Sequence, residues 1–287
     1  MMLSSRKLKA FHILSQHLNF SRAAEQLCLT QSALSQRISQ LEDCLGVKLF
    51  RRHQSSVELT DSGRKLLKYC RIKHSLESEV LEDIVYGNQQ GLSGSVTIAG
   101  FSSIMRSAVM PILAKLVRNN PSIQLDLKIR DLHELPDMLF HSEADFIIGQ
   151  IPIERLDYES VLLGDEHNIL IQSTSDDAIV DVLLDHNIHD HFNEEYLVKK
   201  NLMFDFTRKR AFVNDIYGII DGVKLGLGRG VVPKHLIEGI DGIKPVEGCS
   251  ELSTPCLLQY PKQEYRSKLH LKVIEVLSEN VNKMLNQ

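Results

Sequence analysis

Ser32, Gln36 and Ser39, flanked by Ser35 and Gln40, share one side of a helical period whose other side carries Leu34, Ile38, Leu41 and Leu45. That polar side is small and almost uncharged, whereas a solvated helix face usually displays Glu and Lys. Hydroxyls and amides present the donors and acceptors that match base edges, and their modest bulk lets a helix enter a DNA major groove. The plainer alternative is a three-helix packing unit with a serine-rich outer face. Further on, Arg51 and Arg52 precede a polar tip, His53–Ser56, and an alternating pair, Val57 and Leu59. Two guanidinium groups on a short hairpin can sit against phosphate and position a neighbouring helix. Later still, Ser102 and Ser103 stand where a strand gives way to a helix. Free backbone N–H groups, a positive helix end and two hydroxyls favour an anion there, while simple capping by Ser102 is the other reading.

Other chemistry finds less support. The run Asp185-His186-Asn187-Ile188-His189-Asp190-His191 could bind a metal, with His189 and His191 on one face of a strand, or could be a solvated loop. The loop is the better match, because structural metal sites prefer defined helix or knuckle spacings, so no metal or cofactor is expected. Gly226, Gly228 and Gly230 imitate part of a dinucleotide fingerprint but follow a helix instead of a strand, which points to tight turn packing. No GxSxG, no Walker-type phosphate loop and no Cys/His arrangement stands out, so enzymatic activity is not expected. The alternatives were an amino-acid-modifying enzyme fused to a DNA-binding head and a metal-responsive repressor using the histidines.

The elements that must position these residues follow from periodicity. Leu8, Phe11, Leu14 and Leu18, then Ala23, Ala24 and Leu27, mark two short helices before the polar-faced one. Ser21 can cap the second, and Thr30 the third, with Leu29 and Leu34 placed as a hydrophobic staple. Helices joined by the short Cys28-Leu29-Thr30 turn make a helix-turn-helix whose second helix is the reader. Thr60 and Asp61 open a long helix on which Leu66, Tyr69, Ile72, Leu76, Val80 and Ile84 keep one apolar stripe, the kind of face that packs on a second copy. Gly87–Gly94 is a polar hinge. From Ser95 onward strand and helix take turns: Val96 and Ile98, a helical stretch interrupted early by Pro111, alternation over Leu125–Ile129, a helix over Leu132–Phe140, and a strand over Asp145–Gly149. Strands at Ile169–Gln172, Ala211–Val213 and Val231–Val232, a helix over Ile216–Leu225 and a final helix over Tyr265–Leu285 complete a parallel α/β pattern in two halves. Open sheets of this kind bind ligands in the cleft between halves.

Composition sets the frame. With 43% hydrophobic and 24% charged residues the chain is an ordinary globular protein, and no apolar run reaches membrane-spanning length. The N-terminus lacks the apolar core of a secretory signal, and five cysteines without CxxC spacing suit a reducing cytoplasm. The net charge of −4 divides unevenly: residues 1–90 carry +4 and the remainder −8. A basic head on an acidic body is suited to meet a polyanion through the head alone.

The segment SRAAEQLCLTQSALSQRISQLEDCLGVKLFRR, followed by LTDSGRKLL, closely resembles the DNA-binding head of LysR-type transcriptional regulators. Ala23-Ala24, Leu41-Glu42, Gly46, Leu49-Phe50, Arg52, Leu59-Thr60 and Gly63 all fall in register. The glycine-rich Gly226–Pro233 segment is similar to the family's late turn in the effector domain, and LCLTQSALSQR is most similar to the branch that senses basic amino acids. The resemblance implies an N-terminal all-α winged helix-turn-helix over residues 1–60 and a dimerising linker helix with hinge over 61–90. It implies an α/β effector domain over 91–287, made of two Rossmann-like subdomains of periplasmic-binding-protein type, about 91–161 with 265–287 and about 162–264. Its implied partners are a double-stranded DNA operator, a small-molecule effector, a second copy in a homodimer or homotetramer, and RNA polymerase. The base-reading positions would fall on Gln31, Ser32, Ser35 and Gln36, with Thr30, Arg37 and Arg52 near phosphate beside Arg51. Glu58 departs from the pattern, since an acid at the wing repels phosphate unless it points away. Effector contacts would come from Ser102, Ser103, Gly149, Gln150, Ile151 and Asn214. Asp215 would either favour its helix end or pair an amine of an amino acid.

Overall fold

A computed structural model describes residues 4–286 except 53–56, 87–90 and 203–208, so the wing tip His53–Ser56 and the hinge residues Gly87–Gln90 lie outside the described residues. The chain opens with α1 (Ser5–His17), α2 (Phe20–Gln26) and α3 (Gln31–Leu45), whose apolar sides meet in one core of Leu8, Phe11, Leu14, Leu34, Ile38 and Leu41. Asn19, not Ser21, caps α2, accepting from the Arg22 N–H at 3.1 Å. Leu18 ends α1 in the left-handed region, which starts the second helix earlier than the serine would allow. The hairpin β1 (Phe50–Arg52) and β2 (Val57–Leu59) follows, with Arg51 directly opposite Glu58. The register places the acid beside a guanidinium, so opposite charges face each other across the strands.

The join between hairpin and helices is built from Glu42. Its buried carboxylate accepts from the Leu49 and Phe50 N–H groups at 2.8 and 3.3 Å and from Lys48 Nζ at 2.8 Å. Burial raises its pKa, but these three partners outweigh burial and hold it below the usual range. Thr60 accepts from the Gly63 N–H at 3.0 Å and opens α4 (Asp61–Tyr86). A side chain at Gly63 would put Cβ 2.2 Å from the Leu49 carbonyl oxygen, so only glycine lets α4 start against the hairpin.

The C-terminal unit holds a seven-stranded mixed sheet and a separate two-stranded parallel one. Its first half holds β3 (Gly94–Gly100), a helical run made of α5 (Ser102–Ile104), a π-turn (Met105–Val109) and α6 (Met110–Asn119), then β4 (Ile123–Ile129), α7 (Leu135–Phe140) and β5 (Phe146–Gly149). Pro111 does not interrupt the run as the sequence suggested. The π-turn immediately before it widens the hydrogen-bonding so that the missing N–H is tolerated in the first turn of α6. A 16-residue strand, β6 (Tyr158–Ser173), then crosses into the second half. There lie β7 (Val182–Asp185), α8 (Phe192–Lys199), β8 (Lys209–Phe212), α9 (Ile216–Lys224), β9 (Gly230–Pro233) and β10 (Ile243–Pro245). The chain returns along β11 (Leu252–Pro261) and ends in α10 (Lys268–Leu285), capped by Ser267.

β3 pairs with β4 and β5 in parallel, as α/β alternation requires, but β6, β9, β10 and β11 pair antiparallel, so the sheet is mixed where the sequence read as parallel. β11 pairs with β6 along its whole length, and its Leu257–Gln259 also pair with β5. That stretch, assigned from sequence to the second half, is therefore woven into the first. One core lies between α10 and the first-half strands, centred on Phe146, Leu258, Val273 and Leu277, and a second packs α9 on Ile169, Ile171 and Val232.

Candidate DNA interface and effector cleft

Thr30 caps α3, accepting from the Ala33 N–H at 3.2 Å, and its hydroxyl also lies 3.0 Å from that of Ser32. Gln31, Ser32 and Gln36 are exposed, and Ser35, Arg37 and Ser39 are half-buried on the same outward side. The Arg52 guanidinium leaves the wing to donate to Ser35 Oγ at 3.1 Å and stacks 4.2 Å over the Phe20 ring. Arg51 stays exposed on the hairpin. Ser32, Ser35, Gln36 and Arg52 thus share one surface, Arg51 points to the hairpin's other face, and Arg52 also braces the wing against both helices of the motif.

Ser102 is the first residue of its helix and makes no capping bond; Phe101 holds the cap position, so the simple capping reading is set aside. Ser103 is buried, and its hydroxyl favours the charged form of Glu166 on β6. Gln150 follows β5, and its Nε2 lies 3.4 Å from Thr254 Oγ1 of β11, to which Asn168 Nδ2 donates at 3.0 Å. Ser103 and Gln150 stand at the carboxyl ends of parallel strands, while Glu166, Asn168 and Thr254 come from the two strands that cross between halves. The carboxyl ends of parallel strands are where open sheets bind ligands.

The remaining expected residues distribute differently. Gly149 ends β5, and a side chain there would meet Gln259 Nε2 at 3.1 Å. Ile151 is 81% exposed and contributes its carbonyl oxygen to Gln259 Nε2 instead of a wall. Asn214 is exposed, and Asp215 caps α9 by accepting from the Gly218 N–H at 3.2 Å. Asp185, Asn193 and Arg210 form a hydrogen-bonded group joining β7, α8 and β8. His186 and His189 lie in a turn after β7, not along a strand, because Asn187 and Asp190 accept from the His189 and His186 N–H groups and fold the segment back. His191 faces Glu194 at 3.0 Å, and no metal-capable group of three gathers among the described residues.

Sequence reading missed Glu166, Asn168 and Thr254, and with them three bridges between the halves. Arg106 lies 3.7 Å over the Tyr217 ring, His235 Nε2 is 2.9 Å from Ser107 Oγ, and Asn187 Nδ2 is 3.5 Å from Asp131. Burial pushes Glu166 up to about 7 and His235 down to about 4. The signal that could have found the first group is polar 166 and 168 at strand spacing, just ahead of the apolar Ile169–Ile171 run.

A winged reader helix joined by a long helix to a cleft between two α/β halves is the plan of a ligand-controlled DNA-binding regulator. The family model for the bacterial regulatory helix-turn-helix protein, lysR family, matches residues 5–64. That for the LysR substrate binding domain matches residues 89–282. The chain belongs to the LysR family of DNA-binding transcriptional regulators, which are not enzymes. It is 28% identical over 209 residues to the HTH-type transcriptional regulator HdfR of Yersinia enterocolitica, covering 73% of this chain and 70% of that one. Its fold is similar to that of ArgP from Mycobacterium tuberculosis, with a TM-score of 0.76 at 23% identity and 97% of each chain covered. It is also similar to LysG from Corynebacterium glutamicum with bound effector Arg, with a TM-score of 0.68 at 19% identity over 97% of this chain and 99% of that one. Among the described residues no helix is long and apolar enough to cross a membrane.

Proposed function

We propose that this regulator responds to an amino acid or small carboxylate bound between the halves of residues 91–287. The carrying observation is the convergence of Ser103, Gln150, Glu166, Asn168 and Thr254 at one crevice. Donors at the ends of β3 and β5 suit a carboxylate, and backbone N–H groups at the start of a helical run strengthen that preference. The solved LysG with bound Arg supports the amino-acid class by likeness of fold. Binding would change how the halves close on each other, and through α4 the spacing of two reader helices. It shifts that balance only by its differential affinity for the two arrangements.

On the DNA side, Gln31, Ser32, Ser35 and Gln36 read base edges while Thr30, Arg37, Arg51 and Arg52 lie near phosphate. The exposed stripe on α4 pairs two copies, giving a homodimer or a tetramer of such dimers that contacts RNA polymerase at the promoter in the cytoplasm. A thermal-shift screen of the whole chain against amino acids, short carboxylates and divalent metals tests the reading, since a ligand that binds the folded state raises its melting temperature by mass action. A hit lost in Ser103→Ala supports the crevice; a metal-only hit would redirect attention to the histidine segment.

A further inference from the structure

Glu166 sits on β6 opposite Thr254, at the passage between the two halves. It is 2% exposed, and among the described residues its Oε1 has no hydrogen-bond partner. The side chain stands between Ser103 of the first half, whose hydroxyl favours its charge, and Tyr217 of the second, whose ionisation it disfavours. The guanidinium of Arg106 is stacked on the Tyr217 ring at 3.7 Å. Burial and the Ser103 hydroxyl are the causes that set its ionisation. An acid buried without a cation is costly to ionise, so burial favours its protonated form until a cation is brought to it.

The surroundings divide by chemistry. Ser103 and Gln150 offer a hydroxyl and an amide, and the start of the helical run offers N–H groups, while the Asn168 amide is taken up by two backbone carbonyls and Thr254. Glu166 is the acid in their midst. Asp215, which the sequence offered as an amine partner, is occupied in capping α9.

We infer that Glu166 receives the cationic group of the effector, an ammonium or guanidinium, so that the ligand class is a small molecule carrying both a cation and an anion or donor-seeking group. This rests on the crevice being the effector site. Burial without a neighbouring cation favours the protonated form of Glu166. A bound cation makes the carboxylate the favoured form, and the proton leaves to solvent, so binding near neutral pH releases protons. The ion pair formed spans the junction of the halves, which makes occupancy and closure depend on the same contact.

Isothermal titration of the full chain against the standard amino acids, short diamines, and short mono- and dicarboxylates tests the assignment. The titrations would be repeated in two buffers of different ionisation enthalpy, on the wild type, Glu166→Gln and Glu166→Asp. A cation-bearing probe is expected to bind the wild type with buffer-dependent heat, to bind Glu166→Gln about 30-fold or more weakly with that dependence gone, and to be partly rescued by Glu166→Asp. Circular dichroism checks that each variant is folded, and Glu166→Asp keeps the test decisive should Glu166→Gln fail that check. Equal affinity in Glu166→Gln overturns the inference. Binding of carboxylates alone also overturns it while the crevice reading stands. If neither class binds, both readings fall.

Discussion

Arg52 and Ser35, 17 residues apart, are joined by a 3.1 Å hydrogen bond from the wing to the reader helix. The same guanidinium lies 4.2 Å over Phe20, the first residue of the helix before the turn. One side chain thereby sets the angle between the hairpin and the helix expected to enter the groove. Replacing Arg52 by Ala should weaken binding to all DNA sequences and reduce the salt slope by about one counterion. Filter binding between low and moderate salt measures this, and an unchanged slope would contradict a phosphate contact.

Gln36 is exposed on the reader face and makes none of the bracing contacts that engage Ser35. Its amide is free to address a base edge. Gln36→Ala should therefore relax discrimination at one base step by about 1–3 kcal/mol while nonspecific affinity holds. A binding-site selection experiment with the variant would show one position losing its preference; uniform loss across the site would mean a structural role.

The head of the molecule was legible because its rules are local. Thr30 and Thr60 cap the helices they were expected to cap, and Leu34, Ile38 and Leu41 are buried at the spacing that exposes Gln36. The second half of the effector domain was not, because it depends on pairings distant in sequence. β11 contains Pro255 and polar Thr254 and Gln259, so it has no strand-like alternation, yet it pairs with β6 from Leu252 to Pro261. Glu166 and Thr254 meet only through that pairing, 88 residues apart. The failed histidine strand has the same origin. Asn187 and Asp190 turn the chain by accepting from backbone N–H groups, a local competition with the ladder that periodicity does not register.

Glu42 is the structural counterpart of the reader residues. Its carboxylate accepts from the buried Leu49 and Phe50 N–H groups at the hairpin's root. Glu42→Ala should cost about 3 kcal/mol by leaving buried donors unpaired, more than loss of the exposed Lys48 pair alone would. Because its folded pKa is depressed, this contribution is present above the usual Glu range and is lost as pH falls through the folded value. Chemical denaturation of the variant at neutral pH would expose the cost, and a loss of only a few tenths would show that water replaces the carboxylate.

Glu166 and His235 give the effector domain two opposed pH responses. Folded, Glu166 keeps its proton up to about 7, while an unfolded Glu releases it near 4.5. Its contribution is full below that lower value and declines as pH rises to about 7, by roughly 3 kcal/mol at 1.36 kcal/mol per unit. His235, held down to about 4, acts the other way: stability falls as pH drops from 6.5 toward that value. Between 4.5 and 6.5 the two slopes oppose and largely cancel, so Glu166→Gln should unmask a rise of melting temperature with pH over that range that the wild type lacks. If the variant's profile stays as flat as the wild type's, the buried acid is not what offsets His235.

The apolar stripe of α4 is the last relationship with a measurable consequence. Leu66 is buried against the three-helix core, but Val80, Leu81 and Ile84 are 54%, 60% and 74% exposed in the single chain. Fully burying one such side chain contributes about 1.5–3 kcal/mol, so covering the set on a second copy is a strong drive for association. The two heads would then be carried on paired helices, and two reader helices would reach half-sites one helical turn apart. Val80→Glu with Ile84→Glu places charge in that seam and should convert the protein toward monomer, with loss of cooperative binding to a two-fold operator. Sedimentation velocity read together with operator binding decides it. A variant that still sediments as wild type would place the dimer interface elsewhere, and loss of operator affinity without dissociation would assign these residues to orienting the heads instead of pairing the chains.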